Sequence, residues 1–348
     1  MLSDDYTFIS RLLHRVALGS KLVAEATFDL EQSRSKIDPA GVDEHPVFVS
    51  GLARAGTTVL MQTLYSTGGF RSLTYRDMPF VLMPGMWKNL SAGFSKDMEA
   101  RERAHGDSLL VDFDSAEAFE EIFWRIFYGE RYIAPDCLEA HDLDNGQCAQ
   151  FRRFVGAVVA SADSEAQGRY LSKNNNNMLR LAGIRRAFPS ASIVVPFRDP
   201  VQHALSLRTQ HQNFVASQEG DKFAVDYMNW LGHHEFGLNH KPFRFGASDI
   251  ALESLDPAGL DYWLAQWINA YTHVLSAAPG GAIFVCYENL CADPDGTLGN
   301  LMEQIGLDRD LASGNDIYKI REHEVPVHSE ELSAKAYNAY EELRGRGI

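Results

Sequence analysis

The sequence predicts an α/β fold in which a parallel β-sheet is flanked by helices on both faces, with extra helical segments outside this core. Short apolar runs such as 192–197 alternate with longer segments whose apolar residues recur at helical spacing. Parallel strands need connections of helical length, so this alternation is typical of such a sheet. Two predicted strands run directly into Gly-rich or charged segments, and ligands bind at that end of parallel strands.

The first 44 residues predict a helical extension ahead of the sheet. Between residues 6 and 35, apolar side chains recur at the spacing of one or two amphipathic helices. Scattered acidic residues favour packing of these helices on the domain over binding to a membrane surface. The apolar positions expected to face the domain are Phe8, Leu12, Leu13, Val16, Leu22, Val23, Ala26 and Leu30.

Residues 45–310 carry the alternating pattern and form the predicted nucleotide-binding core. Strands are predicted at 46–50, near 71–75, and at 169–172, 192–197 and 282–286. Helices are predicted at 57–67, 115–127, 148–162, 176–187, 200–212, 220–234, 258–277 and 294–305. The predicted helix 115–127 is expected to pack its apolar face into the core. Its acidic side chains are expected to be solvated, namely Glu117, Glu120 and Glu121.

The last part of the chain, 311–348, predicts an irregular loop over 318–328 and a terminal helix over 329–344. No repeat or low-complexity linker divides the sequence. A single domain spanning 1–348 is therefore expected, and a chain of this length can bury a substantial core.

Charge and composition exclude several classes of protein. The net charge of −15 argues against nucleic acid or an anionic membrane surface as the partner. No apolar run reaches the roughly 18 to 20 residues of a membrane span. The four cysteines lack metal-ligand spacing, and free thiols are favoured over a disulfide between Cys137 and Cys148.

Residues 46–60 contain the most informative pattern in the chain. A short apolar run meets a Gly-rich turn, Gly51–Gly56, and Thr57 and Thr58 open a helical segment. A strand that turns tightly into a helix directs backbone N–H groups and the helix dipole at one spot, which binds phosphate. The spacing is that of a P-loop, but Thr57 replaces the lysine that ATP and GTP hydrolases use. Arg54 is the cation that this loop offers instead.

A second pattern predicts a further phosphate contact. Residues 193–199 read as a buried strand that ends in charge, and Pro200 follows at the first position of a helix. Ser206 lies eight residues after Arg198, about two helical turns on. A planar Arg fork and a Ser hydroxyl can bind one phosphate together. The alternative is that Arg198 pairs with Asp199 or another acid at the surface.

Together these segments resemble the nucleotide-binding motifs of PAPS-dependent sulfotransferases of the bacterial and Golgi-type branch. Ala53–Thr58 resembles their 5′-phosphosulfate loop, and Arg198 with Ser206 resembles their 3′-phosphate motif. Residues 283–290 are similar to the strand and turn in which a Tyr, here Tyr287, contacts the nucleotide. The resemblance implies a P-loop-type sheet, PAPS (3′-phosphoadenosine 5′-phosphosulfate) as donor and 3′,5′-ADP as product.

The resemblance also implies which residues bind the donor. They are Arg54, Ala55, Gly56, Thr57, Thr58, Arg198, Ser206, Tyr287 and, in the late loop, Arg321. There are two departures from the family pattern. Ala55 stands where a Ser is usual, and Gln210 stands where some members have a further Arg. Both changes are expected to weaken nucleotide binding without abolishing it.

Sulfuryl transfer to a hydroxyl or amine requires a base and a cation near the bridging oxygen. Lys173 follows a predicted strand and is expected at the same sheet edge; relatives carry a Lys in a similar segment. Arg54 is the second predicted stabiliser. Asp77 stands near the family's catalytic carboxylate and is the predicted base, although an Asp77–Arg76 pair could instead cap a helix. Alternative bases lie in the polar segment 232–246, namely His233, His234 and His240.

The predicted function is thus a PAPS-dependent sulfotransferase, whose partners are the nucleotide donor and a hydroxylated acceptor. A P-loop kinase and an inactive nucleotide-binding relative are the alternatives. Golgi relatives carry an N-terminal membrane anchor, whereas residues 1–5 here are acidic, so a cytoplasmic, bacterial enzyme without a membrane segment is expected.

Overall fold

The computed structural model describes residues 8–34, 45–91, 101–102, 110–111, 117–162, 168–247, 249–278, 280–311, 318 and 323–348. Its strands are β1 (Val47–Val49), β2 (Phe70–Arg71), β3 (Arg101–Glu102), β4 (Leu110–Val111), β5 (Leu138–Glu139), β6 (Arg169–Lys173), β7 (Ser192–Phe197), β8 (Phe243–Arg244) and β9 (Ile283–Cys286).

The helices occupy most of the remaining described chain. They are α1 (Phe8–Gly19), α2 (Lys21–Arg34), α3 (Thr57–Ser66), α4 (Pro84–Ser91), α5 (Glu121–Tyr132), α6 (Asn145–Ala160), α7 (Leu181–Ala187), α8 (Pro200–Gln218), α9 (Lys222–Leu231), α10 (Leu260–Ala277), α11 (Tyr287–Ala292), α12 (Pro294–Gln304) and α13 (Glu330–Arg346). Short 3₁₀ helices lie at Tyr75–Asp77, Asn175–Arg180 and Arg309–Leu311.

The central sheet has five strands in the order β2-β6-β1-β7-β9, all parallel. Successive side chains of a strand point to opposite faces. Val47 and Val49 accordingly join an apolar core with residues of α3 and α12, whereas Phe48 joins a second core with residues of α6, α7 and α8. Helices therefore cover both faces of the sheet, which confirms the predicted fold class.

The strand order places β1 between β6 and β7. Their carboxyl ends meet at one edge, because Val49 of β1 is in register with Lys173 of β6 and with Val194 of β7. The loops after these three strands consequently border one crevice, the usual ligand-binding position of an open α/β sheet.

Several predicted elements differ in length or type. The strand expected near 71–75 is the short β2, because the backbone turns into the 3₁₀ helix at Tyr75–Asp77. The helix expected over 176–187 begins as a 3₁₀ helix and continues as α7, and α8 runs on to Gln218. The terminal helix is confirmed as α13.

Two N-terminal helices are present where one or two were predicted, but the expected buried face is wrong, because none of its described side chains is fully buried. Leu12, Val16 and Leu22 are exposed, whereas Leu18 and Phe28 are buried. Because the helical backbone is interrupted at Ser20, between α1 and α2, the two helices do not share one continuous apolar stripe. Within the described ranges, no helix combines the length and the apolar character needed to cross a bilayer.

Candidate active site

The loop after β1 ends in a helix N-terminus that is open to a ligand. Arg54 and Gly56 adopt left-handed backbone angles, with φ of 70° and 85°. Gly56 precedes α3, and no side chain caps this helix. The N–H groups of the first turn, which begins with Thr57 and Thr58, therefore remain available for an anion, and the helix dipole favours its negative charge.

Helix α8 holds this loop from one side through His203. The Nε2 of His203 donates to the Ala53 carbonyl at 2.7 Å, and its Nδ1 accepts from Trp267 Nε1 at 3.2 Å. Burial, with the charge of Arg198 as a smaller cause, lowers the pKa of His203 to about 3. His203 is consequently neutral near pH 7, and its ring acts as a fixed support for the loop.

The three sequence motifs meet at this loop. Arg54 Nε donates to Ser206 Oγ at 3.3 Å. The guanidinium of Arg198 lies over the Tyr287 ring, 5.4 Å from its centre. Tyr287 in turn packs against Gly56 so closely that a Cβ there would lie 2.7 Å from Tyr287 Cδ2. The structure thus brings together residues that the sequence places far apart.

Arg198 presents an unused donor to the crevice. Its Nε is buried and has no hydrogen-bond partner among the described residues. Asp199 is engaged elsewhere, because its Oδ1 accepts from Gln202 N at 2.8 Å and its Oδ2 accepts from Tyr337 at 2.8 Å. The alternative interpretation, a surface pair of Arg198 with Asp199, is therefore wrong.

Lys173 borders the loop from the opposite side. It ends β6 in register with Val49, and the next backbone N–H, of Asn174, donates to the Val49 carbonyl at 3.1 Å. Lys173 is largely buried, with 8% of its surface exposed. Its side chain therefore has little contact with solvent.

A buried polar network supports the segment that follows Lys173. Asn174 Nδ2 donates to Glu121 at 2.8 Å and to Glu120 at 3.2 Å, and Asn177 Nδ2 donates to Glu120 at 2.8 Å. Arg180 donates to Glu121 at 3.0 Å. In the run Asn174–Asn177, the Asn174 side chain also accepts from Asn176 N and caps the 3₁₀ helix Asn175–Arg180.

The prediction that Glu117, Glu120 and Glu121 are solvated is wrong, because all three are buried. Burial of a carboxylate is tolerated when donors surround it. Glu120 has Tyr170 and Glu121 has Tyr132 as a further donor. Burial and the adjacent carboxylates raise the pKa of both tyrosines well above the usual range.

A residue that the sequence analysis missed, Glu235, lies next to this segment. Asn175 Nδ2 donates to Glu235 Oε1 at 3.0 Å. Glu235 belongs to the polar stretch 232–246, in which the sequence predicts alternative bases, and this was the signal that could have found it. Its neighbour His233 donates from Nε2 to the Ala118 carbonyl at 3.1 Å.

The other two histidines of this stretch have structural contacts. His234 is buried and its Nδ1 bonds to the Asn239 carbonyl at 3.2 Å. His240 bonds to the Tyr262 hydroxyl at 2.8 Å and packs on Trp263. Burial, aided by His211, lowers the pKa of His240 to about 4.

Residues 46–240 match the model of the sulfotransferase family. The chain belongs to the sulfotransferase family. In overall fold it is similar to sulfotransferase STF1 from Mycobacterium tuberculosis H37Rv, at 15% identity and a TM-score of 0.52, covering 95% of this chain and 84% of that one. Sulfotransferase STF9 from Mycobacterium avium matches at 14% identity and a TM-score of 0.47, covering 94% and 75% of the two chains. No curated protein sequence matches the chain.

Asp77, the predicted base of this sulfotransferase, has both carboxylate oxygens in hydrogen bonds. Arg71 donates to Oδ1 at 2.6 Å, and the Thr74 backbone donates to Oδ2 at 2.7 Å. Asp77 is buried and closes a capping box with Thr74. These contacts match the capping interpretation, with Arg71 in place of Arg76 as the partner.

The two departures from the family pattern are both buried. The Ala55 side chain is fully buried, and its N–H donates to the Leu52 carbonyl at 3.3 Å. Gln210 is buried on α8, about one helical turn after Ser206. Weaker nucleotide binding as a result of the two changes stays a prediction. Arg321 lies outside the described residues.

Proposed function

We propose that this sulfotransferase moves the sulfuryl group of PAPS to a hydroxyl or amine of an acceptor by in-line displacement. The observation that carries the proposal is the convergence of three separate motifs. Arg54 contacts Ser206, Arg198 covers Tyr287, and Tyr287 packs against the loop at Gly56. A donor with phosphates at both its 3′ and 5′ positions needs two anion sites, and this crevice offers two.

The residues present fit such a donor. The first-turn N–H groups of α3 and Arg54 would hold the 5′-phosphosulfate. Arg198 and Ser206 would hold the 3′-phosphate, for which the buried, unpartnered Nε of Arg198 is a ready donor. The predicted Arg321 would add a further cation at that phosphate.

Lys173 is assigned to the developing charge. When the sulfuryl group leaves, negative charge grows on the oxygen that bridged it to the 5′-phosphate. A cation next to the loop, in a site with little water, stabilises that charge more strongly than it would in bulk water. The position of Lys173 beside Val49 supports this role.

The test is thermal unfolding with different nucleotides. We expect 3′,5′-ADP to stabilise the wild type, by about 2.7 kcal/mol at 100 times its dissociation constant. ATP–Mg²⁺ and 5′-AMP should stabilise it far less, because neither carries a 3′-phosphate. The variant Arg198→Ala should lose the response to 3′,5′-ADP.

Arg309→Ala is the matched control, since Arg309 is half-exposed and pairs with Glu303 at 3.4 Å on the surface. It should respond to 3′,5′-ADP like the wild type. Stabilisation by ATP–Mg²⁺ in preference to 3′,5′-ADP would contradict the proposal and favour a kinase.

A further inference from the structure

The carboxylate of Glu235 is held at the carboxyl end of β6, beside the crevice. Asn175, two residues after Lys173, donates to its Oε1 at 3.0 Å. The Asn175 amide is buried, and its Oδ1 has no hydrogen-bond partner among the described residues. Glu235 itself is half-buried and so keeps part of its surface exposed.

The segment that carries Glu235 is anchored at several points. Gly232 ends α9 with a left-handed φ of 75°, and its carbonyl accepts from Asn176 Nδ2 at 3.2 Å. The bond from His233 to the Ala118 carbonyl fixes the next residue. The adjacent amides Asn175 and Asn176 thus tie this segment to the end of β6, and the Glu235 position is built into the fold.

Groups on two elements favour the charged form of the Glu235 carboxylate. Burial acts to raise the pKa of Glu235, but His233, Lys173 and the Asn175 hydrogen bond together outweigh it and lower that pKa. The neighbouring His234 and His240 also interact with this carboxylate. Glu235 is therefore ionised near pH 7, and an ionised carboxylate can accept a proton.

The predicted base offers a contrast. Asp77 is buried, and both of its oxygens accept hydrogen bonds from the protein. Glu235 is more accessible and lies near Lys173, the residue assigned to the leaving oxygen. In-line displacement needs a base at the attacking acceptor oxygen and a cation at the leaving oxygen, on the two sides of the transferred group.

We infer that Glu235 is the general base that deprotonates the acceptor, with Asn175 as the positioning residue that orients it. The inference rests on the proposed function. In the step, a bond forms between the acceptor oxygen and sulfur, and the bond from sulfur to the bridging phosphate oxygen breaks. The acceptor proton passes to the Glu235 carboxylate. The electron pair of the broken bond stays on the phosphate oxygen of 3′,5′-ADP.

The experiment follows transfer from radiolabelled PAPS to three probe acceptors, namely water, phenol and 4-nitrophenol, with the full chain. Phenol keeps its proton near pH 7, whereas 4-nitrophenol is already about half ionised and needs much less help from a base. Glu235→Gln should lose on the order of 10²-fold in rate with phenol and water. With 4-nitrophenol the loss should be markedly smaller.

Glu219→Gln, an exposed carboxamide change at the end of α8, is the matched control and should retain the wild-type rates. Calorimetry with 3′,5′-ADP separates this inference from the proposed function. Wild type that does not bind 3′,5′-ADP would overturn both.

Two results together support the inference. The wild type and the Glu235→Gln variant bind 3′,5′-ADP alike, and the variant shows the acceptor-dependent loss in rate. Unchanged rates in the variant would overturn the role of Glu235 alone. An equal loss with phenol and 4-nitrophenol would also overturn it, because that pattern indicates a structural effect. A wild type that binds 3′,5′-ADP but transfers label to none of the probes would overturn it as well.

Discussion

The two sides of the phosphate-binding loop are built in different ways. We call the donor side the set of residues toward β7 and β9, namely Arg54, Arg198, Ser206 and Tyr287. We call the transfer side the set at the end of β6 with its supporting network, namely Lys173, Asn174, Asn175, Glu235, Glu120, Glu121 and Arg180. On the donor side, Arg198 contacts a ring, and its buried Nε has no partner among the described residues. On the transfer side, amides and Arg180 donate to buried carboxylates, while Asn175 Oδ1 and the Nε and Nη1 of Arg180 have no partner among the described residues.

This difference predicts how substitutions on each side should affect nucleotide affinity and stability. The donor side has donors in reserve for an anionic ligand, so its substitutions should change nucleotide affinity more than stability. The transfer side contains a buried ion pair between Arg180 and Glu121, so the loss of one charge leaves its partner buried and unpaired. Substitutions in its supporting network should therefore change stability first. Four predictions test this contrast, in order of decreasing effect.

The largest effect on stability is expected for Glu121→Gln, in the supporting network of the transfer side. The change leaves the guanidinium of Arg180 buried without its ion pair, which is 3.0 Å long in the wild type. Breaking a buried pair in this way costs about 3 to 5 kcal/mol. Urea unfolding at pH 7.5 measures this change in the free energy of unfolding.

Glu130→Gln is the control on the same helix, because the Glu130 side chain is 92% exposed and pairs only with Lys21 among the described residues. It should change stability by less than about 1 kcal/mol. Equal effects of the two substitutions would show that the buried transfer side responds to the loss of a charge no differently from an exposed surface.

Gly56→Ala tests the joint between the loop and Tyr287. A left-handed backbone costs a residue with a Cβ about 1 to 2 kcal/mol, and the new methyl would also displace the Tyr287 ring. We expect lower stability together with weaker binding of 3′,5′-ADP, measured by calorimetry. Gly280→Ala, where a Cβ meets no atom within 4 Å, is the control and should leave binding unchanged. Undiminished affinity in Gly56→Ala would show that Tyr287 does not contribute to the donor side.

Acidification should weaken the donor side through His203. In the unfolded chain this histidine binds a proton below about pH 6.5, whereas in the fold its pKa is about 3. The unfolded state therefore binds more protons in this window, and the free energy of unfolding falls as the pH is lowered from 6.5 toward 3. The slope from one such histidine is at most about 1.4 kcal/mol per pH unit.

The variant His203→Gln can still donate to the Ala53 carbonyl but does not titrate. Its urea midpoint should consequently fall less than that of the wild type between pH 7.5 and 5. The same fall in both proteins would assign the acid sensitivity to other groups.

The smallest effect on stability is expected for Ser206→Ala on the donor side. A hydrogen bond to a charged phosphate contributes about 1.5 to 3 kcal/mol, so the dissociation constant of 3′,5′-ADP should rise roughly 10- to 100-fold. Ser217→Ala on the same helix is the control, since Ser217 is exposed and, among the described residues, bonds only to the Phe214 carbonyl. A larger effect at Ser217 would place the 3′-phosphate elsewhere.

The donor side could be read from the sequence because each of its parts is a short contiguous motif. The loop at Gly51–Gly56 and the Arg198–Ser206 spacing carry their chemistry within one strand, turn and helix. The parallel sheet then brings those ends together without further information. The position of Lys173 followed from the same rule.

The transfer side could not be predicted in the same way. Glu235 reaches Asn175 across 60 positions of sequence, and Glu121 reaches Arg180 across 59. A carboxylate with helical spacing is usually solvated, and only the packing of α5 against the Asn run shows that Glu120 and Glu121 are not. Asp77 stands in the sequence near the position of the family's catalytic carboxylate, but its hydrogen bonds to Arg71 and Thr74 depend on tertiary structure.

The most direct test of the central claim is a crystal structure with 3′,5′-ADP bound. The account predicts the 5′-phosphate at the N-terminus of α3 near Gly56 and the 3′-phosphate on Arg198 and Ser206, with Lys173 and Glu235 facing the open side of the 5′-phosphate. A nucleotide bound outside this crevice, or one whose 3′-phosphate does not contact Arg198, would contradict it.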